Sequence, residues 1–388
     1  MMLFIIVKKS TLVYVTIGII LLCALAAAAY HYIDDVSEAF SRDEILSVIQ
    51  QMFDIRNKAI LEKDSEVLKS LYDTKKRYGM WAYEHEVKKM KYLHQWSEKQ
   101  GIRFTHIHSD ITIRYIKEKG AGITANLIVS TTYRYQYKNE TYGANDFRIG
   151  TYHSIDLVPK SGKTLEKHHQ INEEVLLKQE EWIIVKEWYK DPFADSLHLD
   201  SIKSEDIKTH ILSRGPRDFS EISVRRMAAV EYADQYCGAA NDRQTGYQYN
   251  KKYKDYNPLG GDCANFASQI LFEGGKFKKT RQWNYVKDGS KAWVNAHAFK
   301  SYMLYSGRAS KIAYGTYNKV YKASYQLLPG DFIAYEKKGK VTHISVVTGA
   351  DSKGYALVNC HNVDRYRVPW DLGWSDKGIK FWLVRVHY

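Results

Sequence analysis

The stretch Gly260-Gly261-Asp262-Cys263-Ala264-Asn265-Phe266-Ala267-Ser268-Gln269 carries the strongest signal in this chain for both fold and chemistry. Its paired glycines allow a tight backbone turn, and Asp262 is a residue type that caps the N-terminus of a helix. Cys263 then lies in the first helical turn, where free backbone N–H groups and the helix dipole favour a negative charge. We therefore expect a lowered pKa for the Cys263 thiol, and the thiolate is the reactive form of cysteine.

A cysteine hydrolase also needs an imidazole beside the thiolate and a polar group that orients this imidazole. His343 is the best candidate base, because it lies in the alternating strand pattern of residues 341–346. Asn359 and His361 are two residues apart beside the next predicted strand, so their side chains share a face. We favour His361 as the orienting group, with Asn359 as the alternative, and expect the Cys263 N–H to contribute to an oxyanion hole.

Each of these residues also has a structural interpretation. A cysteine on the apolar face of a helix is more often a packing residue, and a single strand histidine is usually structural. The Gly-Gly-Asp-Cys turn, the order of cysteine before histidine, and the position of His343 on a strand together favour catalysis. The other two cysteines of this region, Cys237 and Cys360, are expected to be small buried residues.

Composition restricts the class of protein. The chain has 388 residues, a formal net charge of +13 and only 4 cysteines, which is too few for a disulfide framework. No Cys/His spacing typical of a metal site occurs, so neither a metal nor a cofactor is expected. The positive charge suggests an anionic partner. Nucleic acid is suggested by the charge alone, without a binding motif, and we do not expect it to be a partner.

The N-terminus resembles an export signal. Lys8 and Lys9 precede an apolar run over residues 12–29, which is close to the roughly 20 residues that span a bilayer. Acidic residues follow this run, and the charge order places the C-terminal bulk outside the cell. Residues 1–35 are therefore predicted to be a signal anchor or a cleaved signal peptide. The protein is accordingly expected to be membrane-anchored with its bulk extracellular, or secreted.

Residues 36–200 are predicted to form an α+β accessory domain. Helical periodicity is followed by strand-like segments rich in β-branched and aromatic residues. The predicted helices are 41–61, 66–72 and 81–99, and the predicted strands are 104–116, 122–137, 146–158 and 181–188. This order suggests helices covered by a curved, cone-like antiparallel sheet. Residues 201–220 are polar and are predicted to be a linker.

Residues 221–388 are predicted to form a second α+β domain. A helix over 222–237 and the Cys263 helix precede the predicted strands 332–335, 341–348, 355–360 and 381–387. This is the papain-like order of elements, in which helices carry the cysteine and a small antiparallel sheet after them carries the histidine.

Residues from about 222 to 388 also resemble the putative amidase domain family, which occurs mainly in Gram-positive bacteria and is related to papain-like and NlpC-type cell-wall hydrolases. The resemblance implies a nucleophile at Cys263 and a base at His343. The matching pieces are Arg226-Met227-Ala228-Ala229-Val230-Glu231-Tyr232-Ala233, Asn250-Lys251-Lys252-Tyr253, residues 261–269 with Gly274-Gly275, Ala292-Trp293, Pro329-Gly330-Asp331-Phe332-Ile333, residues 343–349 and residues 361–365.

Together these features predict an exported cysteine amidase or peptidase. It would hydrolyse an amide bond, in cell-wall peptide or a related substrate, through a thioester acyl-enzyme. The alternative is a catalytically inactive scaffold that binds the wall through tyrosines and basic residues. Anionic wall polymer, and the membrane through the N-terminal segment, are the other expected partners.

Overall fold

A computed structural model describes residues 41–140, 143–161, 181–193, 205–241, 246, 248–374 and 378–388. The segment 1–35, predicted to be a signal or an anchor, lies outside these residues. Within the described ranges, no helix is both long enough and apolar enough to cross a membrane.

Three helices come first: α1 (Arg42–Glu62), α2 (Ser65–Ser70) and α3 (Arg77–Gln100). Helix α1 begins at a capping box in which the Ser41 side chain accepts from the Glu44 N–H, while the Glu44 carboxylate accepts from the Ser41 N–H. The predicted N-terminal helices are thus confirmed.

The strands of this region are long. They are β1 (Ile102–Lys119), β2 (Gly122–Tyr137), β3 (Asn145–Pro159) and β4 (Trp182–Tyr189), and all four were predicted. Buried residues largely alternate with more exposed ones on β1, β3 and β4, as expected for a sheet with one face against helices, whereas residues 127–130 of β2 are all buried.

The C-terminal region again places most of its helices before its strands. Its helices are α4 (Glu205–Leu212), α5 (Val224–Gln235), α6 (Cys263–Gln269), α7 (Lys291–Val294), α8 (Ala296–Tyr305) and α9 (Tyr317–Val320). Its strands are β5 (Ala309–Gly315), β6 (Phe332–Lys337), β7 (Lys340–Ala350), β8 (Ala356–Cys360), β9 (Asp364–Pro369) and β10 (Ile379–Val386). Helix α4 lies within the segment predicted to be a linker. Its residues Ile207 and Ile211 lie one helical turn apart and are both buried, so this segment packs against the core as a helix.

All the named strands belong to one antiparallel sheet with the order β1-β2-β3-β9-β8-β7-β6-β10-β5, and β4 also pairs with β3. The two regions meet at β3, where Gly150 pairs with Asp364 of β9 while residues 153–159 pair with β4. The fold is therefore mixed α+β, as predicted. The sheet is neither closed nor strongly curled, so the predicted cone-like curvature is not observed.

Two hydrophobic clusters pack on opposite faces of the C-terminal sheet. One, which we call the shared core, joins α3 and the N-terminal strands to the C-terminal strands, and includes Trp96, Tyr133, Tyr335, Val347 and Phe381. The other, the helix-side core, packs α5, α6 and α8 against the sheet residues Ile344 and Val346. The two regions predicted as separate domains thus share a sheet and a core.

Candidate active site

Helix α6 begins at Cys263, with Asp262 in the N-cap position. The chain enters through Gly260 and Gly261, which have φ values of 113° and 141° that only glycine adopts readily. The Asp262 side chain makes no capping hydrogen bond, so capping by its carboxylate is not observed. Its Oδ1 instead accepts hydrogen bonds from the Tyr256 N–H at 3.1 Å and from Asn265 Nδ2 at 2.8 Å.

The Cys263 thiol is buried in the helix-side core, with 5% of the residue exposed. Burial raises its pKa to about 12, and backbone hydrogen bonds from Ile344 and Ala264 oppose this rise without outweighing it. The expected lowering of this pKa is therefore wrong. The helix start supplies favourable N–H groups, but removing the thiolate from water costs more. In the resting protein Cys263 is a neutral thiol.

His361 is bound to the start of α6. Its Nδ1 lies 2.6 Å from Asp262 Oδ2, its Nε2 lies 2.7 Å from the Tyr236 carbonyl oxygen, and its ring stacks on Phe266 with 3.7 Å between centroids. Burial lowers the pKa of His361, but the Asp262 carboxylate outweighs burial and the net pKa is raised. Both nitrogens face acceptors, so His361 is placed to orient Asp262 and has no nitrogen left to orient His343.

Asn359, the alternative orienting residue, ties β8 to the end of α5. Its Nδ2 donates to the Ala233 carbonyl oxygen at 3.1 Å and to Asp234 Oδ1 at 2.9 Å. Its Oδ1 accepts from Thr348 Oγ1 and from the Arg367 N–H. These contacts occupy the amide fully, and none of them involves His343.

His343 is buried against two aromatic rings. Its ring centroid lies 4.9 Å from that of Trp374 and 5.5 Å from that of Tyr335. Burial lowers the pKa of His343 far below its ordinary value, and the positive charges of Arg365 and Lys190 lower it further. Within the described ranges its Nε2 has no hydrogen-bond partner. This neutral imidazole is a free acceptor or donor in a dry environment.

Cys263 and His343 face different cores. Successive residues of a strand point to opposite faces, and Ile344 lies in the helix-side core while Tyr335, which pairs with His343, lies in the shared core. Among the described residues, no hydrogen bond joins the thiol to either histidine. Ile344, which follows His343 in β7, nevertheless lies near enough to the sulfur for its backbone to oppose the rise in the thiol pKa. The structure thus brings Asp262, Cys263 and His361 together, and it places the His343 side chain on the opposite face of β7.

Sequence reasoning missed several residues around these groups. Trp374 covers His343, and the Arg365 guanidinium donates to the Leu372 and Pro192 carbonyl oxygens, which fixes the loop that carries Trp374. Asp364 accepts from the Tyr249 hydroxyl and the Ala239 N–H, and burial raises its pKa to about 6. The string after His361 drew attention to Asp364 and Arg365, but nothing local predicts their partners.

In the part of the chain that the structure describes, no group of three or more His, Cys, Asp or Glu side chains could hold a metal ion.

Comparison with known proteins shows that part of this chain is similar to other proteins. An uncharacterized protein, YjcM, of Bacillus subtilis (strain 168) is 32% identical over 170 residues, which cover 41% of this chain and 36% of the relative. The chain thus spans about a third of that relative's length. No solved structure matches the chain. Residues 223–384 match the family model described as "Putative amidase domain", so the C-terminal region of this chain is similar to that family.

Proposed function

We propose that the C-terminal region is a cysteine hydrolase that cleaves an amide bond through an acyl-enzyme, with Cys263 as nucleophile. The observation that carries the proposal is the position of Cys263 as the first residue of α6, with the backbone N–H groups of Ile344 and Ala264 close enough to favour the charged form of the sulfur. Such donors stabilise negative charge at the sulfur when it forms. The similarity of residues 223–384 to an amidase family supports the same reaction type.

In this mechanism the Cys263 sulfur attacks the substrate carbonyl carbon, and the amine leaves as the thioester forms. Water then attacks the thioester and releases the acid. In this scheme the Cys263 N–H donates to the developing oxyanion. This is the papain-like scheme, with cysteine on a helix and base on a strand.

His343 is the better candidate for the base. Its lowered pKa keeps the imidazole neutral at physiological pH, and its Nε2 has no hydrogen-bond partner within the described ranges. His361 has a raised pKa and acceptors at both nitrogens, so it acts as a positioning residue for Asp262. Because His343 and the sulfur lie on opposite faces of β7, a side-chain rotation alone cannot join them, and the scheme requires a backbone rearrangement of β7 when substrate binds.

The substrate that suits this scheme is an amide of cell-wall peptide. The hydrophobic residues 12–29, preceded by Lys8 and Lys9, favour export, with the protein either anchored in the membrane or released after signal cleavage. The net charge of +13 favours attraction to anionic wall polymers.

Two observations favour a second function, a wall-binding scaffold without catalysis. The Cys263 residue is only 5% exposed, and no described hydrogen bond connects it to a histidine. In that case the fold would be retained for binding, and wall polymer would bind without any bond being cleaved.

The test is release of free amines from purified cell-wall peptide fragments by the full chain. Cys263→Ala is expected to lower the rate at least about 1000-fold, as for other nucleophile deletions. The matched control is Cys237→Ala, which removes another buried thiol. Equal rates for the wild type and Cys263→Ala would overturn the cysteine mechanism. Binding to wall fragments without amine release by the wild type would support the scaffold.

A further inference from the structure

A basic aromatic patch lies on the surface of the N-terminal region, far in sequence from Cys263. At the start of α3 it comprises exposed Lys75, Lys76, Arg77, Tyr78 and Trp81, and on β4 it comprises Lys186 and Trp188. Trp81 is 49% exposed, Tyr78 is 55% exposed and Trp188 is 66% exposed. Among the described tryptophans, Trp81 and Trp188 have the largest exposed fractions.

The two elements form one continuous surface. Tyr78 and Trp81 lie edge to face, 5.7 Å apart. The Lys186 Nζ lies 5.7 Å from the centroid of the Tyr78 ring, which links β4 to α3. Trp188 is two residues beyond Lys186 on the same face of β4.

The patch carries a net positive charge. Lys75, Lys76, Arg77 and Lys186 contribute four cations. The neighbouring acids are Asp73, which lies 3.8 Å from Lys76, and Asp156, which lies opposite Lys186 in the sheet. Large exposed aromatic residues next to one another are unusual on a surface that faces only water. The surface therefore fits a partner that is both apolar and anionic.

We propose that the basic aromatic patch docks on an anionic lipid bilayer. Tryptophan and tyrosine favour the boundary between headgroups and acyl chains, and lysine and arginine are attracted to anionic headgroups. A sugar-binding platform would need open ring faces, whereas the Arg77 guanidinium already lies 4.2 Å above the Trp81 ring. The proposal is independent of the proposed amide hydrolysis.

The test is lysine acetylation of the full chain, read by mass spectrometry, with phosphatidylglycerol–phosphatidylcholine vesicles or with phosphatidylcholine vesicles. Acetylation of Lys75, Lys76 and Lys186 is expected to slow at least threefold in the anionic vesicles alone. The internal controls are the exposed hairpin residues Lys338 and Lys340, whose acetylation rates are expected to stay unchanged.

A double variant tests the aromatic part of the patch. Trp81→Ser with Trp188→Ser is expected to abolish the protection, whereas Tyr305→Ser, which removes a ring that is 91% exposed, is expected to retain it. Protection that is absent, or equal in both vesicle types, would overturn the proposal. So would protection by soluble anionic wall polymer without vesicles, or by raised protein concentration alone, since these indicate a polymer site or a second copy.

Discussion

The ion pair between Asp262 and His361 explains how the start of α6 is held. The two residues are 99 positions apart in sequence, and both side chains are almost completely buried. Because Asp262 immediately precedes Cys263, this pair fixes the backbone on which the thiol is carried. Removing one partner of a buried ion pair leaves the charge of the other partner buried and unpaired.

We predict that His361→Asn destabilises the protein by about 3–5 kcal/mol at pH 6. Since the folded pKa of His361 is raised, the stabilisation is fully present below the unfolded pKa of about 6.5 and is lost as pH rises through the folded value. The loss should therefore be smaller at pH 9. Urea unfolding at both pH values measures it, with exposed His106→Asn as control. A deficit that is larger at pH 9 would contradict the ion-pair assignment.

Trp374 is predicted to control the basicity of His343. Trp374→Ala exposes the imidazole to water, so the pKa of His343 should rise toward its ordinary value. NMR titration of the His343 ring protons measures this change. Trp188→Ala, at an exposed tryptophan outside the site, should leave the titration unchanged. An unchanged pKa in Trp374→Ala would show that Trp374 does not exclude water from His343.

At the residue scale, the sequence predicts the position of Cys263 at a helix start, because local turn and capping preferences determine it. The pKa of this thiol could not be predicted, since it depends on burial by α5, α8 and the sheet. The pairing of Asp262 with His361 could not be predicted from the sequence either. An aspartate that caps a helix and an aspartate that pairs with a distant histidine have the same neighbouring residues in the sequence.

Periodicity identifies most of the helices and strands. Strands β5 and β9 were not predicted, and their sequences explain why. Residues 309–315 alternate weakly. Residues 364–369 include Asp364 and Arg365, which are buried through contacts distant in sequence, and the partly exposed Arg367. The pairing of β3 with β9 involves three residue pairs, which is too short a contact to leave a sequence signal.

The junction of β3 and β9 depends on a glycine. A Cβ atom at Gly150 would overlap the backbone of Ala239. We predict that Gly150→Ala destabilises the protein by about 1–3 kcal/mol, because backbone on both sides must shift. Thermal unfolding measures the effect against Gly349→Ala, a strand glycine with open space around it. Similar losses in both variants would contradict a role for close approach at Gly150.

Across the whole molecule, a buried carboxylate connects the two regions. Asp371 accepts hydrogen bonds from Lys99 Nζ at 2.6 Å and from the Trp96 indole, both on α3, and from the Tyr355 hydroxyl at 2.8 Å. Together with the continuous sheet and the shared core, this predicts that the two regions unfold in one cooperative transition. Sequence alone suggested two independently folding units, since neither the Asp371 contacts nor the β3–β9 pairing has a local signature.

We predict that Asp371→Asn lowers the unfolding free energy by about 3–5 kcal/mol, because the buried Lys99 ammonium loses its counter-charge. The loss should appear equally in hydrogen exchange of β2 and of β7. Asp288→Asn breaks an exposed ion pair with Lys254 and should cost less than about 1 kcal/mol. Destabilisation confined to one region would contradict cooperative unfolding.

The most direct test of the proposed chemistry is an acid quench of the full chain during turnover of cell-wall peptide, followed by peptide mass spectrometry. The account predicts an acyl group on the peptide that contains Cys263, and none on the peptides that contain Cys237 or Cys360. Substrate cleavage that proceeds with no acyl group on Cys263, and at the wild-type rate in Cys263→Ala, would contradict it.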